Sequence, residues 1–256
     1  VVGEAGNETL PLALVVEDNT DVAKYIISCL AGKYRVKWSP DGEQGIKNAV
    51  VTIPDIIISD VMMPGKDGFE LCEILKKEER TSHIPIILLT AKATETDRIE
   101  GLSHGADAYL TKPFNKEELF VRLEQLIKIR RQLQEKYSKV DISITRKAEP
   151  TGEERFLKRA IEVIEKYLDE PKLNGAMLAE NLNMSESQLY RKLKALGRKS
   201  TSLFIRGIRL LIARRLLETG NLNISEVAYT CGFNDPSWFS RAFKKEFGIP
   251  PSAFRK

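Results

Sequence analysis

The chain has 256 residues, enough for one large domain or two ordinary ones at roughly 100–200 residues each. With 42% hydrophobic and 30% charged residues each half can bury a core, which excludes a disordered chain, and no apolar run reaches the ~18–20 residues of a membrane span. The net charge of +4 is unevenly spread: residues 1–130 carry a net −5 and residues 131–256 a net +9, so an acidic module precedes a basic one whose natural partner is a polyanion, nucleic acid first.

In chain order, residues 12–18, 34–39, 53–60, 84–91 and 107–114 are short apolar runs bounded by Pro, Gly and Asp, which read as buried strands. Helical patterns follow them over 20–31, 43–51, 67–79, 95–104 and from 115 onward. Five such units predict an α/β fold, a five-stranded parallel sheet with helices on both faces and ligands at the carboxyl ends of the strands. The helix from 115 keeps its pattern through Tyr137. Leu119, Leu123, Leu126, Arg130, Leu133 and Tyr137 follow a heptad seam with one charged interruption, which suits pairing with a second copy. The plainer alternative packs Leu119, Leu123, Leu126 and Ile127 on the chain's own sheet. Residues 139–152 are polar and aperiodic, a linker. Beyond it no strand is convincing, and helices are predicted over 153–168, 175–182, 185–196, 201–218, 224–230 and 236–247.

The predicted strand ends carry Glu17 and Asp18, Asp60, Thr90 and Lys112. The fold gathers these at one edge, where three carboxylates repel one another and attract a hard divalent cation such as Mg2+. A lysine and a hydroxyl beside them suit a phosphoryl group that a carboxylate attacks. Each residue alone could be an ordinary loop acid or a Lys-Pro turn; the set is harder to dismiss. Cys29, Cys72 and Cys231 have no paired spacing and read as reduced, buried thiols, and His83 and His104 lack the neighbours of a zinc site.

In the all-α second half, Asn174 caps a short helix and Asn183 occupies a turn that needs a left-handed residue. Ser185 then starts a second helix with Gln188 at capping-box spacing. The pattern recurs with Asn223 and Glu226, a turn at Gly232, and Asp235 ahead of Pro236 at the first helical position. Two helix-turn-helix units, offset by about 50 residues, flank a helix over 201–218 whose buried stripe is Phe204, Ile208, Leu211, Ile212 and Leu216. That helix is long enough to hold the two second helices about one DNA turn apart. Arg191, Lys192 and Lys194 lie on one second helix, and Arg241, Lys244 and Lys245 on the other. A merely solvated basic face is the bland alternative, but the arginines recur at the same offset. Phe239 reads as core, and Trp238 is left open.

Two resemblances follow. Residues 11–130 resemble the receiver domain of two-component response regulators. The likeness rests on Val15-Val16-Glu17-Asp18-Asn19, Asp60-Val61-Met62-Met63-Pro64-Gly65-Lys66-Asp67-Gly68, Thr90-Ala91, and Gly105-Ala106-Asp107-Ala108-Tyr109 running into Lys112-Pro113-Phe114. It implies a flavodoxin-like strand order 2-1-3-4-5 and a cis Lys112–Pro113 peptide. It also implies Asp60 as phospho-acceptor, Mg2+ held by Asp18, Asp60 and the Met62 carbonyl with help from Glu17, Thr90 and Tyr109 as switch residues, and Lys112 as the phosphate partner. Glu17 stands where Asp is commoner in this family.

Residues 152–256 resemble the AraC-type DNA-binding domain. Here the likeness rests on Leu178-Ala179, on Arg209, Ala213, Leu216 and Leu217, and on Ile224, Glu226, Val227 and Ala228. It continues through Cys231-Gly232-Phe233, Phe239-Ser240-Arg241, Phe243-Lys244, Gly248, Pro250-Pro251-Ser252 and Phe254-Arg255. By this resemblance Ser187, Gln188 and Arg191, and Pro236, Ser237, Ser240 and Arg241, face DNA; Lys194 and Lys244 are read as phosphate contacts.

The expected organisation is a tail over 1–10, a receiver over 11–130, a helix extension and linker over 131–151, and a DNA-binding domain over 152–256. The expected function is a transcriptional regulator phosphorylated by a histidine kinase and binding double-stranded DNA. It is a homodimer when phosphorylated, with RNA polymerase a further candidate partner. Val1 rather than Met opens the sequence, so we read an excised piece of a longer chain, the tail of a hybrid sensor, against a stand-alone regulator. This segment is expected in the cytoplasm without membrane contact, its parent anchored in the inner membrane. Two rivals are a magnesium-dependent phosphotransfer enzyme and a non-switching receiver scaffold. The enzyme would want a second acid two residues after Asp60, where this chain has Met62.

Overall fold

Five short parallel strands, β1 (Leu12–Val16), β2 (Arg35–Ser39), β3 (Ile56–Asp60), β4 (Ile86–Thr90) and β5 (Ala108–Thr111), form one sheet in the order β2-β1-β3-β4-β5. They belong to a computed structural model that describes residues 10–91, 105–138, 151–197 and 200–254, without the side chains of 130, 131 and 133–138. Every residue of β3 and β4 is buried, as are the last four of β1, which explains their unbroken apolar runs. The runs overshoot the strands because Pro54 and Pro85 precede β3 and β4 and Ile53 has left-handed backbone, φ 43°, at a helix end.

Four described helices cover the two faces of the sheet. Ile26, Cys29 and Leu30 of α1 (Thr20–Leu30) and Leu119, Leu123 and Leu126 of α4 (Lys116–Ser138) pack on Val15, Ile58 and Leu89. The next strand residue points to the opposite face. There Val16 and Leu71 close on Gly45, joining α2 (Gly42–Thr52) and α3 (Gly68–Lys77). The expected helix over 95–104 lies outside the described residues. α4 runs unbroken to Ser138, as its pattern predicted, but the first three leucines of the seam are spent on this core. The rest of the seam, Arg130, Leu133 and Tyr137, lies outside the described side chains. Ile127 is exposed rather than packed on the sheet.

The chain divides into two compact units, Val1–Lys136 and Tyr137–Lys256. The second holds α5 (Gly152–Lys166), α6 (Gly175–Asn181), α7 (Glu186–Ala195), α8 (Thr201–Thr219), α9 (Ile224–Thr230), α10 (Pro236–Phe247) and a 3-10 turn at Pro251–Ala253. It has two apolar cores. Phe156, Ile164, Leu178, Leu189, Leu193, Phe204 and Ile208 form one, and Leu210, Ala213, Leu217, Val227, Cys231, Phe239 and Phe243 the other. α8 contributes to both, so it has no single stripe. Phe204, Ile205, Ile208, Leu210, Ala213 and Leu217 are buried on it, while the predicted Leu211, Ile212 and Leu216 are only partly so. Cys29, Cys72 and Cys231 are buried free thiols, and burial pushes Cys72 and Cys231 up to about 12, which keeps them unreactive.

Candidate functional site

Because all strands run one way, their carboxyl ends share an edge. Glu17 follows β1, Asp60 ends β3, Thr90 ends β4 and Lys112 follows β5. The register pairs Asp60 with Leu89 and Thr90 with Thr111. The Lys112–Pro113 peptide is cis. Glu17, Asp18 and Asp60 bring carboxylate oxygens within 4.8 Å of one another, the only such cluster of His, Cys, Asp or Glu among the described residues. Asp18 is exposed, whereas Glu17 and Asp60 are buried. Lys112 Nζ bridges the buried pair, 2.8 Å from Glu17 Oε2 and 3.0 Å from Asp60 Oδ2. The other Asp60 oxygen accepts a 2.8 Å hydrogen bond from the Val61 backbone.

Burial raises Glu17 above the usual carboxylate range; the hydrogen bond from Lys112 opposes this and the Asp60 charge adds to it. Burial works to lower Lys112, but hydrogen bonds and charges from Glu17 and Asp60 overcome it and hold the ammonium above its ordinary value. With one lysine against three acids the cluster keeps surplus negative charge. Its all-oxygen donors suit a hard divalent cation such as Mg2+. Met62, whose carbonyl was the further expected ligand, lies in the bend just after β3 with its side chain exposed.

The surrounding loops are pinned locally. Asn19 caps α1 by accepting from the Asp21 and Val22 backbones. Asp67 and Glu70 form a capping box that starts α3 directly over the site. Gly68 is required there, since a Cβ would sit 2.2 Å from the Asp60 carbonyl oxygen. Trp38, which the sequence reading passed over, donates its indole N–H to the Glu17 carbonyl at 2.9 Å, and the Glu17 amide bonds to Ser39. The Tyr25 ring lies 5.9 Å from Phe114, beside Lys112 and Pro113. Neither contact has a sequence signature, because both join residues far apart in the chain. Thr90 is nearly buried. The Tyr109 hydroxyl is buried with no partner among the described residues, and burial, then Cys72, pushes the phenol up.

In the second unit both predicted turns appear. Asn183 (φ 54°) separates α6 from α7, and Gly232 (φ 72°) separates α9 from α10. Ser185 with Gln188 and Asn223 with Glu226 make capping boxes, and Asp235 caps α10 ahead of Pro236. Ser187, Lys194, Ser237, Arg241 and Lys244 are exposed; Gln188, Arg191, Pro236 and Ser240 are half-buried. Gln188 and Ser240 are among those engaged within the protein. Gln188 Oε1 accepts from the Ser185 amide at 2.8 Å, and the Ser240 hydroxyl donates to the Pro236 carbonyl at 2.9 Å.

Lys192 does not belong to the exposed basic face. It is fully buried, its Nζ 5.4 Å from the Phe156 ring centroid. Helical spacing from Leu189 and Leu196 puts position 192 on the core side, a signal the count of basic residues concealed. Tyr190, 44% exposed, takes its place on the outer face between Ser187 and Lys194. Trp238 is also 44% exposed, its ring 5.2 Å from Phe233, while Phe239 is buried as expected.

Comparison with known proteins agrees with this division. Residues 13–124 match the response regulator receiver domain, and residues 178–256 match a helix-turn-helix domain. Histidine kinase P4 of Formosa agariphila is 35% identical over 243 residues, 94% of this chain and 18% of its own length. The DNA-binding dual master transcriptional regulator RpaA of Synechocystis is 38% identical over 120 residues, 46% of this chain and 50% of its own. The chain thus spans half or less of the length of these curated relatives. The receiver domain of a Pseudomonas aeruginosa sensor histidine kinase, solved with a magnesium ion in its active-site cleft, is 34% identical. It covers 46% of this chain and 98% of its own at a TM-score of 0.44.

Proposed function

Because this chain joins a response regulator receiver domain to an AraC-type helix-turn-helix domain, we propose that it is a transcriptional regulator controlled by phosphorylation of Asp60. The observation that carries the reading is the Asp60 carboxylate in a trio of acids, ion-paired at 3.0 Å to Lys112, ahead of two capped helix-turn-helix units. The phosphoryl group comes from a histidine kinase. The Asp60 carboxylate attacks phosphorus, an O–P bond forms as the donor's N–P bond breaks, and that electron pair leaves with the imidazole. Glu17, Asp18, Asp60 and the Met62 carbonyl would hold Mg2+, which supplies positive charge for the phosphoryl oxygens. Lys112 exchanges its carboxylate partners for a phosphoryl oxygen, and the Thr90 hydroxyl donates to another.

Phosphorylation then changes the face made by β5 and α4. Thr90 moves toward the phosphoryl group, and Tyr109, whose hydroxyl is already buried, turns in behind it. Two receivers meeting on that face bring two DNA-binding domains together and raise affinity for paired sites by linked occupancy. On duplex DNA, α7 and α10 enter successive major grooves with Arg191 and Arg241 at base edges and Lys194 and Lys244 on phosphates; Ser187 and Ser237 flank them. The relative named as a histidine kinase, matched along nearly all of this chain, supports a parent in which the kinase and this segment share one polypeptide.

Incubation with acetyl phosphate and Mg2+ tests the reading. The wild type becomes labelled once, Asp60→Asn does not, and Lys112→Ala labels without changing DNA binding. Stoichiometric labelling of Asp60→Asn overturns it, and repeated turnover would favour a phosphotransfer enzyme. Sedimentation with and without beryllofluoride tests the dimer: a monomer in both states, with unchanged DNA affinity, removes that step.

A further inference from the structure

Arg209 lies on α8, 8% exposed, and its guanidinium is spent on main-chain carbonyls. Nη2 donates to the Glu170 carbonyl at 2.6 Å, and Nη1 donates to the Gly232 carbonyl at 3.2 Å. Nε is buried with no partner among the described residues, and burial lowers the group from its ordinary value. The two carbonyls belong to different halves. Glu170 lies in the segment that delivers the chain from α5 to α6, the start of the first helix-turn-helix unit. Gly232 is the turn of the second. That turn is pressed onto the clasp: a Cβ at 232 would meet Leu168 O at 2.5 Å and Arg209 Nη2 at 2.6 Å.

The two cores are distinct clusters along α8, joined by Ile212, which packs on both, and by Leu168, which reaches the second core from the segment before α6. These apolar contacts are few and carry no direction. The polar link between the segment before α6 and the turn before α10 runs through Arg209. Burying a guanidinium with an unpartnered Nε is not the cheapest way to fill a core, and a buried ionic group of this kind acts best as a device for one arrangement among several.

We propose that Arg209 is a positioning residue that sets the angle and spacing of α7 against α10, and thereby the separation of the two base-pair clusters the protein accepts. The claim rests on the DNA-binding reading, and it predicts a change in spacing tolerance rather than a simple loss of affinity.

The test uses the full chain and the duplex that the wild type selects from a random library, with one base pair inserted or deleted between the two contacted clusters. The wild type should lose about tenfold or more on either change, the scale of a disrupted base contact. Arg209→Met should bind the selected duplex more weakly, yet differ by less than roughly threefold among the three spacings. Arg209→Lys, able to reach one carbonyl, should fall between. Gly232→Ala disturbs the same clasp from the other side and should flatten the profile likewise, which keeps the proposal testable if Arg209→Met fails to fold. A uniform loss at every spacing in the folded variants overturns it.

Amide exchange on the free protein separates this claim from the DNA-binding reading itself. In Arg209→Met, residues 168–170 and 232–234 should lose protection together while Leu189, Leu193, Phe239 and Phe243 keep theirs. Unchanged protection in those two segments overturns the clasp whether or not any duplex is bound. A wild-type chain that selects no duplex overturns the spacing claim along with the DNA-binding reading, and protection lost only in the two segments would still support the clasp.

Discussion

Lys112 and Arg209 are both cations held largely out of water, one in each unit. Lys112 faces two carboxylates at 2.8 and 3.0 Å within a trio of acids, so the cluster retains negative charge after the lysine is counted. Arg209 faces two neutral carbonyls and leaves no surplus anion behind. The first arrangement is unfinished in the electrostatic sense and accepts a further cation and then a phosphoryl group. The second is closed and serves the scaffold. A buried charge therefore signals chemistry or architecture according to what its partners leave over, not according to its burial.

The largest effect that sharpens this contrast lies in the first unit's core. Leu123→Ala removes a leucine that is 1% exposed between α4 and the sheet, and should cost ~2–5 kcal/mol of receiver stability in urea unfolding, leaving the second unit's transition in place. A negligible loss, with a change only in self-association, would return Leu123 to the heptad seam.

Divalent cation binding probes the unfinished cluster directly. Saturating Mg2+ at about a hundredfold over its dissociation constant should add ~2.7 kcal/mol near neutral pH. Glu17 is raised in the folded state, so its own contribution to metal-free stability is fully present below its unfolded value and is lost as pH rises through the folded one. Mg2+ acts in the opposite sense, because it needs the ionised carboxylates. Its stabilisation should shrink as pH falls into the raised Glu17 range and vanish below it. A thermal shift independent of pH, or retained in Asp18→Asn, would count against the cluster as the site.

On the DNA side, Arg191→Ala and Arg241→Ala should each weaken specific binding by ~1–3 kcal/mol and relax base preference. Lys194→Ala and Lys244→Ala should weaken all sequences alike and reduce the salt slope by about one each. Lys192→Met supplies the control: a buried residue should leave the salt slope unchanged. The smallest effects belong to the caps. Asp67→Ala in the first unit and Asn223→Ala in the second should each cost ~1 kcal/mol in chemical denaturation, the same in both units despite their different tasks.

Much of this was legible in the residues. Periodicity placed most element boundaries within two positions, and α9 and α10 end where their patterns do, because Asn223, Gly232, Asp235 and Pro236 are strong local punctuation. The acids and Lys112 could be found because a parallel sheet brings strand ends together whatever lies between them. What stayed hidden depends on partners distant in sequence. Nothing near Lys192 says that Phe156 covers it, and nothing near Trp38 says that its indole holds the Glu17 carbonyl. Gln188 was legible twice, as a cap and as a DNA-facing residue, and its carbonyl is engaged in the cap. The α8 stripe failed because one helix between two cores has no single inner side.

The two turns of the duplicated units carry a last consequence. Asn183 sustains its left-handed backbone as a side-chain-bearing residue, whereas Gly232 has Leu168 O and Arg209 Nη2 where any side chain would begin. The copies have thus ceased to be exchangeable parts. The second can be transplanted into the first position without a steric objection at its turn, but the first cannot replace the second unless Asn is cut back to Gly. Shuffling of half-domains among relatives is polarised by that one position, and libraries built by recombining them need a glycine in the downstream slot, while the upstream slot accepts either residue.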